Sequence, residues 1–404
     1  MSITTLDPID KLLEAAVTGK SLIKNRTTLY HNHIPNNILH RDLEQKKVTQ
    51  SLIPILKQFR PSNLLIYGKP GTGKTLVVRK ILLKIQERVE KTNFPIKLIY
   101  ANSKEETTLY GLLVSFGRQL GLDEKELPTT GLSISEVFKR LLRTIDKHSL
   151  NTVFVIDEID FLVHLVSKTG NDILYQFTRA NDRLKNGSLA LIGISNDLTF
   201  KERLDPRVIS SLGEEEIVFT NYSMEQIHKI LEDRIQSAFM EDAVEQSALN
   251  LCAAMAGREH GDARRAISLL RVAGEIAERE QQEKVKEEHV RKAAQKMEED
   301  KETAALESYP LHEKLIILAV MKAGGPSTGE IFTAYKELCK FVRQKELTQR
   351  RATQMLSEIE LSGIISGRIV HQGIHGRTKK YKLTISPETV KQTFKKDLTL
   401  EDII

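Results

Sequence analysis

The stretch Gly68-Lys-Pro-Gly-Thr-Gly-Lys-Thr75 decides the fold class of this chain. It matches the phosphate-loop pattern G-x-x-x-x-G-K-[ST], in which glycines let backbone N–H groups turn inward around phosphate oxygens. A strand-like run, Asn63–Tyr67, precedes it and an amphipathic run follows it, which is the context that the pattern requires. We therefore predict a site for ATP or ADP with Mg²⁺, in which Lys74 reaches the terminal phosphates and Thr75 offers its hydroxyl to the metal. The predicted phosphate-binding residues are Pro70, Gly71, Thr72, Gly73, Lys74 and Thr75.

Outward from this loop, short apolar runs alternate with amphipathic stretches. Such alternation predicts an α/β fold, a parallel sheet with helices on both faces. The predicted strands are Leu64–Tyr67, Ile96–Tyr100, Thr152–Ile156, Leu189–Ile194 and Glu216–Phe219.

Two carboxylates follow the third apolar run. Open α/β sheets bind ligands at the carboxyl ends of their strands, and Asp157 and Glu158 come directly after Thr152–Ile156. We expect this run to lie on a strand next to that of the phosphate loop. Asp157 would then hold Mg²⁺ through water, and Glu158 would polarise the water that attacks the γ-phosphate. Alone, such a pair is more often a solvated turn; together with the loop it indicates a nucleoside triphosphatase.

These motifs and three further polar positions resemble those of AAA+ ATPases. The resemblance implies that Asn196, which follows the fourth apolar run, is the first sensor of the γ-phosphate. It implies that Arg207 is the arginine finger and that Arg264, within Gly261–Arg265, is the second sensor on a helical lid. From the residues alone, each arginine could equally be a surface residue paired with a neighbour, and Arg265 is the alternative to Arg264.

The resemblance narrows to archaeal replication initiators of the origin-recognition and cell-division-control type. It extends over nearly the whole chain and rests on His40-Arg41, Tyr222, Arg234, the segment Gly257–Glu278 and the C-terminal domain. In that family, residues matching Tyr222 and Arg234 contact the nucleotide, and the residue matching Arg41 lies near the adenine. The residues alone leave open that Tyr222 packs at a hinge and that Arg234 is solvated.

Between the second and third predicted strands the chain makes a long excursion, Glu105–Lys147. Two amphipathic stretches in it flank Leu127–Ser133. The resemblance implies an inserted helical segment whose loop touches DNA through Thr129, Thr130 and Gly131. Charge in this region is mixed, so a plain connection between helices is an equal alternative.

The net charge of +6 lies entirely in the last quarter of the chain. From Pro310 to the end there are 16 Lys and Arg against 10 Asp and Glu. Such asymmetry predicts a polyanionic partner for this part. It contains three helical patterns, at 311–322, from Ser327 onward and at 348–361, followed by a glycine-rich basic hairpin.

This order of elements predicts a winged helix that binds double-stranded DNA. Protein binding, or a merely solvated hairpin, is the alternative. The predicted DNA contacts on the third helix and the hairpin are Arg350, Arg351, Gln354, Arg368, Arg377, Lys379 and Lys380.

The predicted domains are a nucleotide-binding core (1–221, of which 1–39 form an N-terminal arm), a helical lid (222–309) and the winged helix (310–404). No apolar run approaches the roughly 20 residues of a membrane span, and the first residues lack a signal-peptide layout. The expected location is therefore the cytoplasm, in association with the nucleoid. Two cysteines are too few for a disulfide framework or a four-ligand zinc site.

The predicted function is that of a DNA replication initiator. It would bind origin duplex through the winged helix, and slow ATP hydrolysis would switch the recruitment of a replicative helicase. Paralogous initiator subunits are further expected partners, and a membrane is not. Two alternatives stay open: a winged-helix transcription regulator that holds ATP as a structural ligand, and a clamp-loader-like AAA+ subunit, which would not need a basic hairpin. A helicase is disfavoured, because the sequence shows no second motor domain or pore-loop signature.

Overall fold

The computed structural model of the chain describes residues 21–106, 108–163, 173–204, 206–258, 261–324, 326–371 and 377–403. The chain divides into two compact units, Met1–Val290 and Arg291–Ile404. Apolar clusters form the core of each unit.

The first unit is built on a parallel sheet of five strands. Its strands are β1 (Leu64–Gly68), β2 (Ile96–Asn102), β3 (Asn151–Asp157), β4 (Ser188–Ser195) and β5 (Glu215–Phe219). Each begins and ends within two residues of its predicted run, because a strand covered on both faces is a continuous apolar stretch. The α/β prediction is confirmed.

The strand order, β2-β3-β4-β1-β5, corrects one expectation. We expected the strand of Asp157 to lie beside that of the phosphate loop, but β4 lies between β3 and β1. β4, which follows β3 in the chain, lies in the position between β3 and β1. Chain order alone does not determine this placement.

Helices cover both faces of the sheet. Leu64 and Ile66 of β1 belong to an apolar cluster with helix residues such as Val77, whereas Leu65 belongs to the opposite cluster, with Phe116. The described helices as far as residue 308, among them those that follow β5 in the chain, include α1 (Asp42–Leu52), α2 (Lys74–Thr92), α3 (Leu109–Leu120), α4 (Ile134–Lys147), α5 (Ile173–Thr178), α6 (Pro206–Leu212), α7 (Met224–Ala238), α8 (Gln246–Arg258), α9 (Ala263–Arg279) and α10 (Glu287–Ser308). A capping box of Ser223 and Gln226 opens α7, the first helix after the sheet.

The excursion between β2 and β3 forms the predicted pair of helices, α3 and α4. Gly117 of α3 gives room for Leu127, because a Cβ at Gly117 would lie 2.2 Å from Leu127 Cδ2. Arg118 Nη2 donates to the Leu127 carbonyl at 2.8 Å, and Tyr110 Oη donates to that of Pro128 at 2.8 Å. Beyond these anchors, the tip residues Thr129–Gly131 are exposed.

The second unit has the helix and hairpin order predicted for a winged helix. Its elements are α11 (Leu311–Ala323), α12 (Thr328–Phe341), α13 (Gln349–Leu361), the antiparallel strands β6 (Ile365–His371) and β7 (Arg377–Leu383), and α14 (Pro387–Phe394). Ser327 and Glu330 form a capping box at the start of α12, the helix predicted from Ser327 onward. Gly363, with φ of +83°, follows α13, where the left-handed conformation favours glycine.

Sequence reasoning missed α14. It begins at the cap residue Ser386 and buries Val390 and Phe394 against the core of the second unit. Its eight residues offer too few turns for a clear helical period. No described helix is both long and apolar enough to cross a membrane.

Candidate nucleotide-binding site

The phosphate loop joins β1 to α2 and curls over the amine of Lys74. Gly71 and Gly73 take positive φ angles, +73° and +90°, which lets the backbone turn inward. Lys74 is 5% exposed, and its Nζ donates to the carbonyl oxygens of Gly68 and Lys69 at 2.6 and 2.8 Å. Burial lowers the pKa of Lys74 to about 8, although the carboxylate of Asp157 opposes this shift.

Asp157 lies buried at the end of β3, facing the loop. Its Oδ2 accepts from the hydroxyls of Thr75 and Tyr100, at 2.8 and 2.6 Å. The structure therefore brings together Thr75 and Asp157, the two residues predicted to bind metal. A hydroxyl and a carboxylate are oxygen ligands of the kind that Mg²⁺ prefers, so the pair fits that ion.

Glu158, the predicted general base, lines the same cavity but is already paired. Its Oε2 lies 2.6 Å from Lys104 Nζ. Its backbone takes a φ of +55°, an uncommon angle for a residue other than glycine, in the tight turn after β3. The ion pair with Lys104 engages one oxygen of the carboxylate that was predicted to accept a proton from water.

Asn196, the predicted first sensor, follows β4. Its backbone N–H donates to Asp160 Oδ1 at 3.3 Å, and Ser195 Oγ donates to the same oxygen at 3.0 Å. Because β4 is the strand between β1 and β3, Asn196 lies between the phosphate loop and the acidic pair.

A cavity of about 410 Å³ extends from the loop toward the N-terminal arm. Arg234, buried to 6% exposure, lines it. Its Nε has no hydrogen-bond partner among the described residues, and burial lowers the pKa of Arg234. Tyr222 also lines the cavity. Of the two second-sensor candidates, Arg264 lines the cavity and Arg265 is not among its described lining residues.

Arg41, which the resemblance places near the adenine, lies next to Tyr222, a residue of the cavity lining. It is 2% exposed and is not among the described residues that line the cavity. Its Nε donates to the Thr72 carbonyl at 2.9 Å and its Nη2 to that of Thr220 at 2.5 Å, while its guanidinium lies 4.0 Å from the centre of the Tyr222 ring. Its Nη1 donates to Glu44 Oε1 at 2.8 Å, so Arg41 ties the phosphate loop to α1 and to the residue after β5.

Arg207 lies on α6, and the described lining of this chain's own cavity does not include it. It is exposed, and its guanidinium carbon lies 5.0 Å from the centre of the Tyr175 ring. This position is compatible with action on a neighbouring molecule.

The predicted DNA-binding residues of α13 are exposed, and two of them interact with Glu358 on the same helix. Glu358 Oε1 accepts from Gln354 Nε2 at 2.9 Å and lies 3.9 Å from Arg351 Nη1. Arg350 is exposed on the first turn. These side chains form one polar face near the start of α13, where helices of this motif meet base edges.

On the hairpin, Arg368 and Lys380 are exposed and face each other across the strands. Lys379 is half-buried, and its Nζ is 2.6 Å from Glu360 Oε2. The side chain of Arg377 and the hairpin tip, 372–376, lie outside the described residues. Thr130, predicted to touch DNA, is exposed at the tip of the inserted loop.

Sequence reasoning missed four groups at the site. Tyr100 could have been found, because it lies near the carboxyl end of β2, as Asp157 does at that of β3. Lys104, Asp160 and the arm residues Leu29–Leu39 carried no periodic signal. Only the folded chain brings the arm to the cavity, Lys104 to Glu158 and Asp160 to Asn196.

A five-stranded parallel sheet with a phosphate loop, an acidic pair and a helical lid, followed by a winged helix, defines the class: an AAA+ ATPase with an appended winged-helix domain. Family models match three segments: an AAA domain at 57–200, a Cdc6 AAA+ ATPase-type lid domain at 228–295, and the CDC6 C-terminal winged helix domain at 304–393.

Relatives identify the family. The chain is 69% identical over 401 residues to an ORC1-type DNA replication protein of Cenarchaeum symbiosum, covering 99% of this chain and 98% of that protein. It is 39% identical over 405 residues to the ORC1-type protein of Pyrococcus abyssi, covering 98% and 95%. The Aeropyrum pernix ORC1 protein, solved in complex with DNA, matches with a TM-score of 0.85 and 38% identity over 95% of this chain and 100% of that one. This chain belongs to the family of ORC1-type DNA replication proteins, which confirms the resemblance.

Proposed function

We propose that this chain is an origin-binding replication initiator whose nucleotide state controls the recruitment of a replicative helicase. The observation that carries the proposal is the meeting of Lys74, Thr75 and Asp157 at one end of the sheet, beside a lid arginine, Arg264. Family membership supports a role in replication, and the DNA complex of the A. pernix relative supports duplex binding.

The cavity would take ATP or ADP with its phosphates at the loop. Lys74 and the N–H groups at the start of α2 would hold the β- and γ-phosphates. Thr75 and Asp157 would hold Mg²⁺, which when bound neutralises phosphate charge. Asn196 would orient the attacking water, and Glu158 would accept its proton.

The switch would depend on α9, because its first turn touches the phosphate loop. Ala263 N donates to the Gly71 carbonyl at 3.3 Å, and the next residue is Arg264. Loss of the γ-phosphate would remove a partner of Arg264 and so change the preferred angle of the lid. Only such a difference in contacts can shift the equilibrium between two lid positions.

DNA binding would use the exposed polar face of α13, the basic hairpin and, as a further contact, the loop of Thr130. Five phosphate contacts would give a slope of log affinity against log salt of about −4 to −5. Paralogous subunits and the helicase would meet the initiator on origin DNA.

Footprinting on chromosomal DNA, with ATP and with ADP, tests the proposal. Lys74→Ala should abolish nucleotide uptake and spare most of the DNA protection. Arg368→Ala and Arg377→Ala should weaken protection and leave nucleotide uptake intact. Lys322→Ala, which removes an exposed cation from the end of α11, is the matched control and should behave as wild type. Protection of promoters rather than an origin would favour the transcription regulator.

Helicase recruitment needs its own measurement. Wild-type protein on origin DNA should retain purified replicative helicase in a manner that depends on the nucleotide supplied, and Lys74→Ala should lose that dependence. Equal retention with ATP, ADP and no nucleotide would contradict the switch.

A further inference from the structure

Residues 21–40, which we call the strap, run from the helical lid (α7–α9) to the core along one side of the cavity. At the lid end, Leu22 and Ile23 are buried. The backbone there pairs with the chain after α7: Met240 N donates to the Leu22 carbonyl at 2.9 Å, and Asn25 N donates to that of Ala238 at 3.0 Å.

The carboxylate of Glu278, in the last turn of α9, accepts hydrogen bonds from four donors of the strap. Its Oε1 accepts from Ser21 Oγ at 2.8 Å and from the backbone N–H groups of Leu22 and Ile23 at 2.9 and 3.1 Å. Its Oε2 pairs with Arg26 Nη2 at 2.5 Å. The Glu278 side chain is only 13% exposed, so these bonds are partly shielded from water.

The core end of the strap is fastened independently. Lys80 Nζ, on α2, donates to the Asn36 carbonyl at 2.5 Å, and Gln45 Nε2, on α1, donates to that of Ile38 at 3.2 Å. Ile38 is itself part of the apolar core beside the sheet. The strap is therefore held at both ends, on two parts of the unit that enclose the cavity from different sides.

Between these anchors the strap forms one wall of the cavity. The strap residues that line it are Leu29, Tyr30, His31, Asn32, His33, Ile34, Pro35, Asn37, Ile38 and Leu39. The anchoring residues Arg26, Lys80 and Glu278 are not among the described lining residues. Substitution of an anchor thus removes no described group that faces the cavity.

We propose that the strap retains bound nucleotide and that Glu278 is the positioning residue that keeps it closed. This inference rests on the proposed function, because it takes the ligand of the cavity to be a nucleotide. Separation of the strap from the lid would remove this wall and so speed the departure of a ligand behind it. The bonds of Glu278 oppose that separation, so they set the release rate without touching the ligand.

The release rate measures this effect. The full chain is loaded with ADP that carries a ribose-linked N-methylanthraniloyl fluorophore, and an excess of unlabelled ADP then prevents rebinding. Glu278→Ala removes all four bonds and should speed release by about tenfold to a hundredfold. Glu278→Gln keeps an oxygen for Ser21 and the two backbone donors but loses the ion pair with Arg26, so its release should be intermediate. Glu283→Ala, which removes an exposed carboxylate just beyond α9, should release ADP at the wild-type rate.

Wild-type release rates in a Glu278→Ala protein with an unchanged circular dichroism spectrum would overturn the inference. If that variant does not fold, Arg26→Ala decides, because the Arg26 side chain is 56% exposed and its loss spares the core. It should release ADP about threefold faster, and a wild-type rate in both Arg26→Ala and Glu278→Gln would overturn the inference. Failure of the wild-type protein to bind ADP would instead overturn the proposed function, and with it the inference that the strap retains nucleotide.

Discussion

At the scale of single residues, Lys74 combines a required charge with an unfavourable environment. Its amine is buried and donates to two backbone carbonyls, and burial brings its pKa down to about 8. A bound phosphate would supply the negative charge that favours the ammonium form. The pKa of Lys74 should therefore rise when nucleotide binds.

This rise makes nucleotide binding depend on pH in a defined direction. At about pH 7.5 Lys74 is mostly protonated before binding, and few protons are taken up; at about pH 9 it is mostly neutral, and binding should take up close to one proton. Above pH 8 the affinity for ADP should therefore fall, by at most about tenfold per pH unit. Calorimetric titration in two buffers of different ionisation enthalpy measures the uptake; equal uptake at both pH values would contradict the assignment.

Tyr100 is predicted to hold the carboxylate of Asp157 in place. Burial, first, and the nearby Asp157 carboxylate raise the pKa of Tyr100, so its hydroxyl remains a donor. Tyr100→Phe should weaken the Mg²⁺-dependent part of ADP affinity by about fivefold and leave the affinity measured in a chelator unchanged.

Dissociation constants with Mg²⁺ and with a chelator test this separation. Tyr110→Phe is the control, because its hydroxyl donates to the Pro128 carbonyl in the inserted loop. An equal loss under both conditions would show that Tyr100 supports the fold of the site rather than the metal position.

At the scale of elements, the hairpin and α13 are joined by one carboxylate. Glu360 pairs with Lys379, and its Oε1 also accepts from Gly367 N at 3.2 Å. The ion pair already neutralises Lys379, so few counterions should be released from DNA on its account. Arg368, exposed on the same hairpin, has no such carboxylate among the described ion pairs.

We therefore expect the two cations to affect duplex binding differently. Arg368→Ala should reduce the slope of log affinity against log salt by about 0.9, the value of one phosphate contact, and Lys379→Ala should reduce it by clearly less. Fluorescence anisotropy with labelled origin duplex, between about 50 and 300 mM KCl, gives both slopes. Equal reductions would mean that Glu360 gives up Lys379 when DNA binds.

Sequence and structure agree best where local patterns decide the outcome. The five strands, the caps of α7 and α12 and the winged-helix order follow from apolar runs, capping residues and glycines. The order of β3 and β4, the pairing of Lys104 with Glu158 and the burial of Arg41 depend on residues far apart in the chain. Neither a hydrophobic period nor a short sequence spacing indicates such contacts. The sequence therefore supplied individual candidate residues for the site but not the contacts between them.

At the scale of the whole molecule, the position of Arg207 predicts that hydrolysis requires a second copy or a paralogue. An arginine supplied by a neighbour is worth roughly 10³–10⁵ in rate. An isolated molecule should therefore turn over ATP well below about 1 s⁻¹, and the rate per molecule should rise with protein concentration or on origin DNA.

Mixing two inactive variants tests this directly. Arg207→Ala keeps the phosphate loop and lacks the finger, whereas Lys74→Ala keeps the finger and lacks the loop lysine. Each alone should be slow, and the mixture should recover part of the wild-type rate. Arg179→Ala, which also lies near the Tyr175 ring, is the control and should hydrolyse ATP like the wild type. A mixture as slow as its components would place the finger elsewhere.

The fit of Leu127 against Gly117 separates the base of the inserted loop from its tip. Leu127 packs against Gly117, and Arg118 and Tyr110 donate hydrogen bonds to the backbone before the tip. These contacts hold the loop without using the side chains of Thr129–Gly131. Thr129 and Thr130 can therefore be exchanged between related initiators without changes beneath them, whereas Gly131, with a φ of +95°, takes a backbone conformation that favours glycine. Any preference for particular replication origins that these residues carry would be transferred together with the loop tip.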